Sequence, residues 1–118
     1  MAISAAHLGF DFEHRNWSVG KDAALIRQFH PQGRVPVLVL DDGEALTESA
    51  VILDHLDHLA GAERALLPAA DPARRETLKL VALATGALDK GILLVYERIF
   101  RPAEKHHAPW LQRCRAQA

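Results

Sequence analysis

Gly33-Arg34-Val35-Pro36-Val37-Leu38-Val39-Leu40-Asp41-Asp42-Gly43-Glu44-Ala45-Leu46-Thr47-Glu48-Ser49 is the stretch on which the fold turns. Val37 to Leu40 is a continuous apolar run rich in β-branched residues, which predicts a buried strand. Asp41-Asp42-Gly43 is a hairpin signal, because Asp-Gly supplies the positive φ of a tight turn. Ala45-Leu46 is then a short return strand. Thr47 reads as a helix N-cap, with Glu48 and Ser49 in the first turn.

Two features of this stretch go beyond architecture. Pro36 stands at the mouth of the strand, where a proline is unusual unless its missing N–H is useful. The Val35-Pro36 bond is a candidate for the cis form, which would leave the backbone of Val35 free to pair with an extended, peptide-like ligand. Glu48-Ser49 marks a helix N-terminus, where free N–H groups and the helix dipole favour a carboxylate. A ligand with a peptide backbone, a free carboxylate and a free amine suits both ends.

Arg34-Val35-Pro36, the Asp-Asp-Gly hairpin and Glu48-Ser49-Ala50 resemble the glutathione-site segment of a bacterial glutathione S-transferase. Ala2 to Gly9 is similar to the end of that family's first helix. Tyr96-Glu97-Arg98, Arg101-Pro102 and Ala108-Pro109-Trp110 resemble the helical domain of one bacterial subgroup. The resemblance implies an α/β fold: an incomplete thioredoxin-like N-terminal domain with its first strand missing, followed by part of an all-α C-terminal domain. The expected boundaries are 1–60 for the glutathione-binding part, 61–71 for a linker and 72–118 for the helical part. The resemblance also implies glutathione as co-substrate, a small electrophilic second substrate, a homodimer and a cytoplasmic location.

The same comparison predicts what is missing. The family's first strand lies between the strands that Phe12–Trp17 and Val37–Leu40 would form. Its loss leaves buried backbone groups without partners. The catalytic Ser, Cys or Tyr follows that strand, and no residue here maps to it. The resembling subgroup carries Arg-Val-Ala-Ile-Ser where this chain has Met1-Ala2-Ile3-Ser4, and a GTG valine codon read as a start is written Met. The natural protein is therefore expected to be longer, and the 118 residues alone weak or inactive as a transferase.

Composition sets the bounds. At 118 residues, 49% hydrophobic and 25% charged, the chain fits one ordinary globular domain or two small pieces of one. A net charge of −1 without a basic patch gives no reason to expect nucleic acid or an anionic membrane. The single cysteine, Cys114, rules out an internal disulfide and suits a reducing compartment. Met1 to Phe10 has no basic region of the signal-peptide kind, and no apolar run approaches membrane-spanning length.

In chain order, Ala2 to Leu8 is a helix end capped by Gly9. Phe12 to Trp17 alternates and predicts a strand. Asp22 caps a short helix through Phe29, and His30 to Gly33 is a loop. The helix from Glu48 to Leu59 is expected to bury Val51, Ile52, Leu56 and Leu59, with Asp54, His55, Asp57 and His58 mostly outside. Leu66-Leu67-Pro68 is expected to pin the linker on the core. Pro72 opens a long helix on which Leu78, Val81, Leu88, Ile92, Val95 and Ile99 form a core or partner-facing stripe. Pro102 ends it, and Pro109 starts another helix of barely two turns.

Each candidate site has a plainer reading. Val35-Pro36 alone would be an ordinary loop-to-strand proline; with Glu48-Ser49 downstream, pairing to the cysteinyl part of glutathione is favoured. Ser49 would take the γ-glutamyl carboxylate and Glu48 the amine, although acidic and hydroxyl residues favour first turns anyway. Arg34 suits the glycyl carboxylate, and a solvated surface charge is nearly as good a reading of it. His55 with His58, and His106-His107, lack a third ligand at metal spacing, so no metal site is assigned. Tyr96 and Trp110 are candidates for a hydrophobic substrate pocket, with core packing the favoured role for Trp110. Cys114 has no activating pattern beyond Arg113 and Arg115, so no catalytic residue is assigned. The alternative to a transferase is a non-catalytic module of the same fold used for binding or dimerisation. A glutathione-dependent isomerase, dehalogenase or reductase is a third reading.

Overall fold

The computed structural model describes residues 2–118. They fall into two compact units, one ending at Leu66 and the other running Leu67–Ala118.

The first unit opens with α1 (Ala2–Leu8). Its spacing of Ala5 and Leu8 puts both on one buried face. Gly9 ends it at φ 78°. The Gly9 N–H donates to the Ala6 carbonyl at 3.1 Å and the Phe10 N–H to that of Ala5 at 3.0 Å. This is the Schellman pattern, and Phe10 packs on the core as the pattern's apolar partner.

Residues 11–17 form no strand, contrary to the alternation of Phe12–Trp17. A strand needs a ladder partner, and among the described residues the sheet holds only the hairpin described below. Local contacts shape the segment instead. The Arg15 guanidinium pairs with Glu13 at 2.9 Å and lies over the Trp17 ring at 5.6 Å.

The second helix, α2, is shorter than expected at Ala23–Ile26. Beyond it the Phe29 N–H bonds to the Ile26 carbonyl at 3.0 Å, a tighter turn that ends the helix before the Pro31 loop. Asp22 stands at its N-cap, but its carboxylate accepts the Ser18 N–H at 2.7 Å rather than capping a helix N–H.

The hairpin comprises β1 (Val37–Val39) and β2 (Ala45–Thr47), antiparallel, with Val37 opposite Thr47 and Val39 opposite Ala45. Asp41-Asp42-Gly43 make a three-residue loop. The Gly43 N–H donates to Leu40 O at 2.9 Å and the Leu40 N–H to Glu44 O at 2.8 Å. Gly43 sits at φ 90°, where a side chain would be strained. β1 is half-buried rather than buried, and Val39 is exposed. A two-stranded sheet covered on one face cannot hide both faces of its strands.

The next helix, α3, spans Ser49–Ala60. It begins one residue later than predicted, because Thr47 completes β2 and Glu48 takes the N-cap position. Ile52 and Leu56 are its buried residues, whereas Val51 and Leu59 face solvent. Burial thus centres on positions four apart, and the expected face was rotated too far. Ile52, Leu56, Ala5 and Leu8 form the core, with Phe10, Leu38, Leu46 and Ala60 packed on it. Asp57, expected outside, accepts the Leu66 N–H at 2.9 Å. The Leu66 backbone is tied there, while its side chain stays exposed.

The second unit is helical. α4 (Ala73–Phe100) follows Pro72, and α5 (Ala108–Gln117) packs against α4. Arg101 is extended, as a residue before proline prefers, and this stops α4 ahead of Pro102. Ten residues make α5 nearly three turns, longer than expected. Glu97 and Cys114 are the buried residues of these two helices. The Glu97 carboxylate accepts the His107 N–H at 3.4 Å and pairs with Arg101 at 3.5 Å. The apolar stripe of α4 is exposed along its length. Trp110 is also exposed rather than core, with the Lys90 ammonium 5.8 Å from its ring. Tyr96 is exposed too and meets Phe100 edge-on at 5.3 Å.

Candidate functional site

The hairpin register sets the site. Val37 pairs with Thr47, so Pro36 and Glu48 flank the same open end of the ladder, opposite the Asp-Asp-Gly loop. Five residues from two stretches of sequence meet there: Arg34, Val35 and Pro36 entering β1, Glu48 and Ser49 leaving β2.

The loop before β1 is built by a turn. Gly33 N–H donates to His30 O at 2.8 Å, with Pro31 in the second position that its fixed φ favours. Gly33 itself has φ 65°, and an added Cβ would come within 3.2 Å of the Arg27 side chain. That geometry delivers Arg34, whose Nη1 lies 3.1 Å from Glu48 Oε1. Both side chains are at least half exposed, so the pair contributes about 0–1 kcal/mol and serves more to orient than to stabilise. Val35 is exposed and lies outside the ladder, two residues before its first pair. The Val35–Pro36 peptide is cis.

Glu48 is the one non-glycine residue with positive φ among the described residues, at φ 68° and ψ 138°. Such a conformation costs on the order of 1–3 kcal/mol and gathers at functional positions. The first rung of the α3 ladder runs from the Ile52 N–H to Glu48 O at 3.1 Å. The N–H groups of Ser49, Ala50 and Val51 precede it and have no helical acceptor. No side chain caps this end. The helix therefore offers free donors and the positive end of its dipole beside a half-buried Ser49 hydroxyl. In chemical terms the arrangement presents anion donors, a carboxylate for a cation, and backbone at Val35.

One residue escaped the sequence reading. The sequence reads His30 as loop, yet it is 4% exposed and its Nε2 lies 3.8 Å from Glu48 Oε1. Nothing in the sequence links positions eighteen apart; the turn at Pro31–Gly33 and the hairpin register together bring them close.

Among the described residues no group of three or more His, Cys, Asp or Glu could hold a metal. His106 bonds the Arg101 carbonyl at 3.0 Å. Cys114 is fully buried. Among the described residues no helix is long and apolar enough to cross a membrane.

Comparison with known proteins agrees with the fold. The family described as glutathione S-transferase, N-terminal domain, matches residues 1–64. An uncharacterized GST-like protein of Escherichia coli K12, YibF, is 36% identical over 115 residues, 98% of this chain and 56% of that protein. A glutathione transferase family member from Pseudomonas fluorescens Pf-5, crystallised with bound glutathione, superposes with a TM-score of 0.84 at 34% identity, covering 98% of this chain and 58% of that one. A glutathione S-transferase from Methylobacillus flagellatus KT, also with glutathione bound, gives 0.87 at 27% identity over 98% of this chain and 56% of that one. The chain thus spans a little over half the length of these relatives. A thioredoxin-like first unit carrying the hairpin and α3, a helical second unit, and a family match across residues 1–64 leave one assignment: the chain belongs to the glutathione S-transferase family.

Proposed function

We propose that the chain binds glutathione at Arg34, Val35, Pro36, Glu48 and Ser49. The observation that carries this reading is the meeting of Arg34, Glu48 and the uncapped N-terminus of α3 at the open end of the hairpin. Glutathione is a short peptide with two carboxylates and one amine. Its γ-glutamyl carboxylate takes the Ser49 N–H and hydroxyl, its amine meets Glu48, and its cysteinyl backbone pairs with Val35 as an added strand. The N–H donors of Arg34 beyond the one on Glu48 are assigned to the glycyl carboxylate. The glutathione bound to the Pseudomonas fluorescens and Methylobacillus relatives supports the ligand.

In this reading the protein is glutathione S-transferase-like and, if complete, conjugates glutathione to a small electrophile. Residues 1–60 serve the peptide, and residues 72–118, joined through 61–71, serve the electrophile. The reaction is attack by the glutathione thiolate on the electrophile, with loss of its leaving group or addition across its double bond. None of the five residues is a nucleophile-activating group, so they bind and orient. A homodimer in the cytoplasm completes the proposal, and the exposed stripe of α4 is its contributor to the interface.

Titration calorimetry with glutathione on the 118-residue chain tests the site. Ser49→Ala is expected to weaken binding by about tenfold or more, the loss of a hydrogen bond to a charged group. Unchanged affinity, or no binding by the parent chain, would turn the reading to a non-catalytic module of this fold. Sedimentation equilibrium tests the dimer, and a strictly monomeric chain at micromolar concentration rejects it.

A further inference from the structure

His30 is the group that the site leaves unexplained. Its side chain is buried, yet Nε2 has no hydrogen-bond partner, a costly state for a buried polar atom. The other ring nitrogen is committed: Nδ1 accepts the Gln32 N–H at 3.2 Å. An accepting Nδ1 carries no proton, so the neutral ring holds its proton on Nε2. Glu48 Oε1 lies 3.8 Å from that nitrogen, just beyond hydrogen-bond reach. Arg34 Nη1 already holds the same oxygen at 3.1 Å. Oε2 takes part in neither contact. Glu48 meanwhile sits in a backbone conformation that persists only where its neighbours over-determine it.

We propose that His30 is a positioning residue for Glu48. Its Nε2–H closes on Oε1 as a ligand ammonium engages Oε2. The carboxylate is then gripped from behind by two donors, Arg34 from the solvent side and His30 from the interior, and turns its remaining oxygen outward. His30 never touches the ligand; it fixes the plane of the group that does. The ligand half of this proposal rests on the glutathione reading above. The coupling of His30 to Glu48 stands without it.

Two measurements separate these halves. The first uses the unliganded 118-residue chain and reads the nitrogen-proton correlations of the His30 ring by NMR, in the parent and in Glu48→Gln. The Nε2-protonated tautomer is expected, with ring resonances that move on the substitution. An Nδ1-protonated ring, or resonances unchanged by Glu48→Gln, would overturn the coupling. The second measures affinity for glutathione and for its analogue lacking the γ-glutamyl amine. His30→Leu is expected to weaken glutathione by roughly tenfold, the size of one charge-assisted hydrogen bond, and the deaminated analogue by less than about twofold. His30→Gln, which keeps an N–H donor, should restore most of the loss. Equal losses for both ligands would show a merely structural role and overturn the proposal. If the parent chain binds neither ligand, the glutathione reading falls and the ring resonances alone decide the coupling.

Discussion

In the first unit Ile52 and Leu56 are sealed against Ala5 and Leu8, residues some fifty positions away in sequence. In the second, the six stripe residues of α4 remain between 42% and 73% exposed. Both sets were equally regular in the sequence. The difference lies in what lies across from them. The first unit folds distant segments onto one another and encloses its apolar side chains. The second lays out a helix whose regularity comes from local bonds and whose apolar face is open. An apolar period reports that a face exists, not what covers it.

Paired truncations put this contrast at greatest risk. Ile52→Ala removes side-chain volume from a site 2% exposed and is expected to cost about 2–5 kcal/mol in chemical denaturation. Leu88→Ala, at a site 73% exposed, is expected to change stability by no more than about 0.5 kcal/mol in dilute solution. A large loss for Leu88→Ala that grows with protein concentration would mean that the stripe is buried by association, and would erase the contrast.

A second prediction sharpens it within the first unit. Glycine accepts positive φ without the penalty that Glu48 carries. Glu48→Gly is therefore expected to raise stability by up to about 1 kcal/mol. The same change should weaken glutathione binding by roughly tenfold, the worth of an ionic hydrogen bond. Opposite signs in melting temperature and affinity would mark Glu48 as held for binding; a loss in both would make it structural.

The smallest effect is expected in the strandless segment. The hydrogen bond and charge of Arg15 hold the Glu13 carboxyl below the usual range, and both groups are fully exposed. A lowered folded pKa adds stability above the unfolded glutamate value and loses it as pH falls through the folded one. Solvent screens an exposed pair, so Glu13→Gln should leave the melting temperature unchanged within error at pH 7 and at pH 3. A difference at pH 7 that disappears in acid would give this segment more order than its contacts imply.

The hairpin was legible because every part of it is local: the apolar run, the Asp-Gly turn and the return strand lie within a dozen residues. The helices around it were legible for the same reason. The strand at Phe12–Trp17 was misread because alternation says nothing of a partner, and a strand without a ladder is only an extended segment. The helix start is ambiguous by one residue in the sequence because Thr47 is both a good cap and a good strand residue, and pairing with Val37 decides for the strand. Of the site, the residues named from resemblance lie at one end of the hairpin. His30 lay outside the reading because burial, the feature that singles it out, is a property of the folded chain alone.

The loop at the far end of the hairpin has a consequence of its own. Asp41, Asp42 and Gly43 are exposed, and a Cβ at Gly43 would meet nothing within 4 Å. β2 separates Gly43 from Glu48, five residues on and at most roughly 17 Å away at the usual rise. The hairpin thus divides its labour by distance: one end is bound by the register and cannot vary, while the tip is free to lengthen or to carry a fluorophore. Exposed tips of this kind are where chains accept insertions, and here such a change could be read out from the site without reaching it.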